Sequence, residues 1–316
     1  MIMMQFDRIL LGRQAKELGF VRDTFEKVCR LEDVLEFMET DTLLSNALAL
    51  KGGTAINLTI FDLPRLSVDI DMDYAKDVTR EEMLSERQLI NDRIKKYMSA
   101  NGYSLGEKSK QYHALDSFVF EYNNSGGSKD NLKIEINYML RCHVLPIARR
   151  RVALPWRNRG LTVLSVDPME IFSAKAVALL NRSAARDLYD MFNLQRRNPF
   201  DGTQNELYKK CITFYSAIAS EKVPKHFDFS GIRNISAQKI KTDLTPVLRR
   251  GEHFDLAVAK EHVEAYMKEI LLPEGDMEFW QSFEEGQYSP ELLFDDREIL
   301  ARVKDHPMAL WKCSKH

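Results

Sequence analysis

The sequence predicts a mixed α+β fold in two domains, 1–160 and 161–316, the first built of strands and helices and the second mainly helical. Three observations lead to it. Leu66 to Tyr74 alternates apolar and polar residues, the period of a half-buried strand. Ser117 to Tyr122 and Leu132 to Leu140 read as two further strands around the turn-rich Asn123-Asn124-Ser125-Gly126-Gly127-Ser128, an antiparallel hairpin. From Pro168 onward apolar residues recur at helical spacing, and no strand alternation of useful length returns.

Along the chain, 15–39 reads as a helix, with Leu18, Phe25, Val28, Leu31, Val34, Leu35 and Met38 at threes and fours. Ala47 to Lys51 is a short buried strand stopped by Gly52-Gly53, and Thr54 then caps a short helix, Ala55 to Phe61. In the strand 66–74, Leu66, Val68, Ile70 and Met72 share one face; Ser67, Asp69, Asp71 and Asp73 share the other. Residues 81–101 are helical. Ser165-Val166-Asp167-Pro168-Met169-Glu170 announces a helix start, with a capping residue and a proline at the first helical position. The stretches 168–195, 205–220 and 255–271 continue as helix.

With 44% apolar residues in 316, each domain has enough to bury a core, which excludes a disordered tail protein. The 45 basic and 47 acidic side chains leave a net charge of −2, so no global field marks a nucleic-acid coat protein. A polyanion would have to be held by a local basic patch or through bound metal. Cys29, Cys142, Cys211 and Cys313 lie far apart without a CxxC pair, which argues against a zinc site or a disulfide framework. No apolar run spans a bilayer, and the first residues carry charges where a secretory core would sit; the expectation is a soluble, cytoplasmic protein without membrane contact. No HxxxH pair or GxSxG elbow points to hydrolysis by a nucleophilic triad.

The strongest chemical signal is Lys51-Gly52-Gly53-Thr54 followed by Asp69-Ile70-Asp71. Carboxylates two apart on a strand leave the same face, about 7 Å apart at Cα, and can converge on hard divalent cations. Glycines let backbone amides approach a phosphate with no Cβ in the way. A third acid is expected from the strand around Glu135, whose plainer reading is a solvent-facing residue paired with Lys133; Asp73 is an alternative ligand or a neighbour. Read as one helix, the segment from Pro168 places Lys175, Arg182 and Arg186 on a common cationic face near Asp187 and Asp190. That face suits either neutralisation of a triphosphate or an interdomain salt-bridge cluster. The basic clusters Arg149-Arg150-Arg151, Arg157 with Arg159, Arg196-Arg197 and Arg249-Arg250 read singly as solvated surface; gathered at one cleft they would track an RNA backbone.

Lys51-Gly52-Gly53-Thr54-Ala55-Ile56-Asn57-Leu58 and Arg65-Leu66-Ser67-Val68-Asp69-Ile70-Asp71 resemble the signature of the AbiEii/AbiGii toxin family, itself similar to DNA polymerase β-like nucleotidyltransferases. Lys175-Ala176-Val177-Ala178 leading to Arg186-Asp187-Leu188-Tyr189-Asp190 resembles the family's helical motif, and Pro290 to Phe294 with His306 to Lys312 resembles the tail of one branch. The resemblance implies a polymerase β-like core of mixed or antiparallel sheet flanked by helices, then a helical domain, with the active site in the groove between them. It implies a Mg²⁺- or Mn²⁺-dependent nucleotidyltransferase toxin of a type IV toxin–antitoxin or abortive-infection system, with an NTP substrate. An RNA acceptor such as a tRNA 3′ end and a separate antitoxin that acts as a DNA-binding repressor are implied with it. Carried over, Asp69, Asp71 and Glu135 would hold metal, and Lys175 and Asp187 would complete the catalytic set. Lys51, Gly52, Gly53, Thr54, Arg65, Ser67, Lys175 and Arg186 would contact the nucleotide. Thr54 stands where the wider superfamily has serine and keeps the hydroxyl. The competing readings are a catalytically degenerate nucleotide-binding regulatory module and a metal-dependent phosphodiesterase.

Overall fold

The computed structural model describes residues 6–157, 160–220, 222–272 and 277–315. They form two compact units. The first comprises residues 6–141, 147–166 and 247–252; the second comprises 142–146, 167–246 and 253–315.

In the first unit, helices α1 (Arg8–Leu18), α2 (Arg22–Thr40) and α3 (Thr42–Ala47) lead into β1 (Leu48–Lys51) and the short α4 (Gly52–Ala55), which runs on as one wider turn over Ile56–Ile60. Next come β2 (Asp69–Tyr74), α5 (Arg80–Ala100), the two-residue β3 (Ser104–Leu105) and β4 (Lys110–Gln111), β5 (Leu115–Asn123), β6 (Lys129–Asn137), β7 (Ala148–Arg151) and β8 (Thr162–Ser165). The eight strands make one mixed sheet in the order β3-β5-β6-β2-β1-β8-β7, with β4 also on β5. β2 is parallel to β6 and antiparallel to β1, while β5 and β6 form the expected hairpin.

Side-chain alternation fixes which face goes inside. Leu50, Met72, Ile70, Ile134, Ile136 and Phe118 are nearly fully buried on one face, where the register sets them side by side. At about 1.5–3 kcal/mol for each such side chain, this face opposes any one-residue slip. Asp116 lies on the same face with no exposure, and α5 satisfies it: Arg87 donates from Nε at 2.9 Å and Asn91 from Nδ2 at 2.8 Å. Thr79 and Glu82 form a capping box that starts α5.

The second unit contains α6 (Pro168–Arg182), α7 (Ala185–Arg197), α8 (Asn205–Ala219), the short α9 (Ser230–Arg233) and α10 (Ala237–Lys239), α11 (Leu256–Leu271), α12 (Met277–Glu284), α13 (Arg297–Val303) and α14 (Pro307–Cys313). Phe214 on α8 centres an aromatic core, with the ring centroids of His306, Phe294 and Phe279 at 5.3, 5.9 and 6.2 Å. Glu170 explains why 142–146 belongs here. Its carboxylate is buried and accepts the N–H groups of Val144 and Leu145 at 2.8 and 2.9 Å and the Tyr215 hydroxyl. Burial raises its pKa, against the opposing effect of His143 and these hydrogen bonds. In the same way 247–252 returns to the first unit, where Leu66 N–H donates to the Val247 carbonyl at 2.8 Å and Arg65 bridges Leu248.

The mixed α+β class holds, but several local expectations need correction. The predicted helix 15–39 is two helices, because α1 ends at Gly19 in the left-handed conformation (φ 80°). The acidic strand starts at Asp69, not Leu66, since the Leu66 amide is taken by Val247. The later hairpin strand is 129–137, not 132–140: the Asn137 side chain accepts from Met139 and Leu140 N–H and turns the chain out of the sheet. The helix expected over 168–195 is broken at Ser183 (φ 51°) and Ala184. β7 and β8 are additional; the arginines of β7 carry no apolar alternation for a sequence reading to detect.

Asp116→Ala should lower the unfolding free energy of the first unit by about 3–5 kcal/mol in urea denaturation, because it leaves the Arg87 guanidinium without its buried partner.

Candidate active site

The unit's polar face is the reverse side of the buried sheet. Lys51 on β1 pairs in register with Asp71 on β2, which pairs in turn with Glu135 on β6, so the three lie in one row across adjacent strands. Two residues to either side, Asp69 faces Lys133 and Asp73 faces Asn137. Four carboxylates therefore share this surface with two lysines. The lysines take the outer acids: Lys51 pairs with Asp73, which is only 3% exposed, and Lys133 with Glu135 at 2.9 Å. Among the described residues no three His, Cys, Asp or Glu side chains are gathered as a ready metal cage. The donor set is nonetheless the hard, anionic oxygen type that Mg²⁺ and Mn²⁺ take, and Asp69 and Asp71 are both partly exposed.

Gly52 and Gly53 border that row. Gly52 has φ 65°, and a Cβ there would meet Asp71 Oδ2 at 2.6 Å; a Cβ on Gly53 would come within 2.9 Å of Arg65 Nη2 and 3.0 Å of Ser67 Oγ. Both glycines thus allow side chains from the next strand segment to lie against the backbone. Thr54 is not the helix cap that its position suggested. Lys51 is the N-cap residue, and the buried Thr54 hydroxyl lies 3.0 Å from Ser67 Oγ and donates to the Asp69 carbonyl, tying the turn to the start of β2.

Arg65 is 2% exposed, and its Nη1 donates to the Leu66 carbonyl at 2.9 Å, so it supports the turn from within the protein. Asn57, which the sequence reading passed over, completes the frame. Its Nδ2 donates to the Gly53 carbonyl at 2.7 Å and its Oδ1 accepts the Arg65 N–H at 3.3 Å. The only signal was a polar residue four positions after Gly53 in an otherwise apolar helical turn.

The second unit brings together Lys175, Arg182, Asp187 and Asp190, although from two helices. Lys175 Nζ lies 2.9 Å from Asp187 Oδ1 and 3.3 Å from Asp190 Oδ2, and Arg182 Nε donates to Asp187 Oδ2 at 2.7 Å. Because Ser183 breaks the helix, the common face computed for one continuous helix does not exist; the cluster forms across the break. Arg186 is half-buried on α7. Burial pushes the Asp187 carboxyl up, but the charges and hydrogen bonds of Lys175 and Arg182 outweigh it and hold the pKa at about 2.

The basic clusters are largely committed to the fold. Arg149 pairs with Glu39, Arg157 with Glu32 and Asp33, and Arg249 donates to the carbonyls of Leu18 and Leu63. Arg159 lies outside the described residues.

Comparison with known proteins first defines the class. The structure is similar to MenT4, a nucleotidyltransferase toxin from Mycobacterium tuberculosis H37Rv, with a TM-score of 0.63 at 18% identity over 97% of this chain and 99% of that one. The shared fold is that of a nucleotidyltransferase toxin. The chain belongs to the family described as "Nucleotidyl transferase AbiEii toxin, Type IV TA system", whose profile matches residues 36–286. Membership implies an NTP substrate, a divalent metal in general terms, and an antitoxin partner. The structures of E. coli MS115-1 CdnC in complex with HORMA-deltaN and of CdnC with ATP match at TM-scores of 0.27 and 0.24, with 16% and 13% identity, over 91% of this chain and 94% and 95% of theirs; they carry no argument. No curated protein is matched significantly. Among the described residues no helix is long and apolar enough to cross a membrane.

Gly52→Ala should cost about 1–2 kcal/mol of stability from its positive φ alone and also displace Asp71, so NTP turnover should fall further than the melting temperature explains. For Asp187 the folded pKa lies below the ordinary 3.8, so its contribution is present above about pH 4 and fades as the pH falls through about 2. Urea titrations of wild type and Asp187→Asn should therefore differ by about 2 kcal/mol more at pH 6 than at pH 2.

Proposed function

We propose that the protein transfers an NMP from an NTP to an acceptor hydroxyl at an RNA 3′ end, with tRNA as the favoured acceptor, by two-metal catalysis with Mg²⁺ or Mn²⁺. The observation that carries this is the Lys51–Asp71–Glu135 row set against a Gly52-Gly53 turn whose Cβ positions are filled by Asp71, Arg65 and Ser67. Carboxylates and a glycine turn then adjoin, the combination that phosphoryl transfer uses. Asp69 and Asp71, with Glu135 as third acid, would hold the divalent ions. When bound, those ions supply Lewis acidity for the attacking hydroxyl and charge neutralisation for the departing pyrophosphate.

The chain's own residues do the positioning. Gly53 and Thr54 would hold the triphosphate, while Arg65, Ser67 and Asn57 keep that turn in place. Lys51 pairs with Asp73 and so offsets one negative charge of the face. By the family resemblance Lys175 would supply a cation for phosphate charge, oriented by Asp187, and Arg186 would contact the nucleotide. The acceptor hydroxyl gives up its proton to water as its oxygen bonds to the α-phosphorus, the bond from that phosphorus to the α,β-bridging oxygen breaks, and pyrophosphate leaves with the electron pair. The antitoxin would be a separate repressor protein encoded alongside.

Incubation with each labelled NTP, Mg²⁺ and total RNA tests this. Label should enter RNA with release of pyrophosphate, and Asp69→Ala or Asp71→Ala should reduce incorporation at least 1,000-fold, on the order expected for loss of a metal-holding carboxylate, while circular dichroism stays unchanged. NTP binding without pyrophosphate release would point to a regulatory module, and shortened RNA to a phosphodiesterase.

A further inference from the structure

Two lysines occupy the carboxylate face, and their surroundings differ. The Lys51–Asp73 pair is the more enclosed, with the Asp73 side chain 4% exposed, so Asp73 is held as a neutral pair within the sheet. Lys133 and Glu135 sit two apart on β6, on the same side of the strand, with side chains 38% and 27% exposed. An exposed pair of this kind is weak and readily exchanged. Lys133 also faces Asp69 across the strand pair, and Glu135 faces Asp71. The lysine therefore holds one of the acids to which the metal reading assigns the divalent ions, from a register position beside another.

We propose that Lys133 is an internal counter-ion of the catalytic carboxylates, holding Glu135 until a divalent cation displaces it. This rests on the metal assignment given above and extends it: Glu135 becomes a ligand beside Asp69 and Asp71 only after exchanging its lysine. A divalent ion brings more charge and several coordination positions to the same oxygens, so it competes successfully with a solvent-exposed ammonium. Lys133 thereby lowers the apparent metal affinity. Lys133 is a positioning residue in this scheme, acting through Glu135.

Mn²⁺ titration of the full-length protein, followed by electron paramagnetic resonance of the free ion, separates the possibilities without any turnover. Lys133→Ala should bind Mn²⁺ about fivefold more tightly than wild type, the full worth of an exposed ion pair, and Lys133→Arg should bind it like wild type. In a Glu135→Gln background the Lys133→Ala gain should vanish. Unchanged affinity in Lys133→Ala, or an equal gain with Glu135→Gln present, would overturn the counter-ion role and leave Lys133 an ordinary surface charge. A wild-type protein that takes up no Mn²⁺, or an Asp71→Asn variant that binds it undiminished, would instead defeat the metal assignment on which the proposal stands.

Discussion

Like charges on neighbouring strands repel, and this sheet places Asp69, Asp71, Asp73 and Glu135 on one face of two parallel strands about 4.8 Å apart. The arrangement is sustained from the other face. Ile70 opposite Ile134 and Met72 opposite Ile136 are buried together, and a slip of one residue would turn all of them to solvent while burying the acids. Apolar burial on one side thus enforces electrostatic crowding on the other, and Lys51 and Lys133 reduce the cost at its two margins. A surface held in this way is kept from rearranging by its backbone register.

The turn beside that surface follows from the same geometry. β1 and β2 are antiparallel neighbours, so the chain must leave β1 at Lys51 and come back at Asp69. Close return brings Asp71 against Gly52 and brings Arg65 and Ser67 against Gly53, distances that only a missing Cβ tolerates. Thr54 and Asn57 then use short polar side chains to lock the turn to the incoming segment. A buried arginine inside this frame is unusual on solvation grounds, and its hydrogen bond to the Leu66 carbonyl supplies part of the compensation.

Much of the site could be read in the sequence because it depends on local periods. The alternation in 69–74 put Asp69, Asp71 and Asp73 on one face, and the alternation around Glu135 offered a further acid on a second strand. The Lys133–Glu135 pair was visible as a plain i, i+2 contact. The helical segments were less legible where a single residue changes direction: Ser183 in the left-handed conformation gives no strong sequence sign, so 168–195 reads as one helix. Lys175 and Asp187 still meet, because a tight break between two helices brings their polar faces together as effectively as one continuous face. Thr54 was misplaced for a different reason. Its hydroxyl chose the carbonyl of a residue fifteen positions away over the local amides that a cap would satisfy.

By itself the sequence determined the α+β class, the strand faces, the glycine turn and the acidic residues beside it, since each rests on spacing within a few residues. The tertiary structure decided which strands are neighbours, that β2 lies between β1 and β6, and hence that Lys51, Asp71 and Glu135 form a row. It also decided that 142–146 and 247–252 belong with distant parts of the chain, through Glu170 and through the Leu66–Val247 hydrogen bond. Pairings of that kind satisfy buried backbone groups with partners far along the chain, and no local pattern records where those partners are.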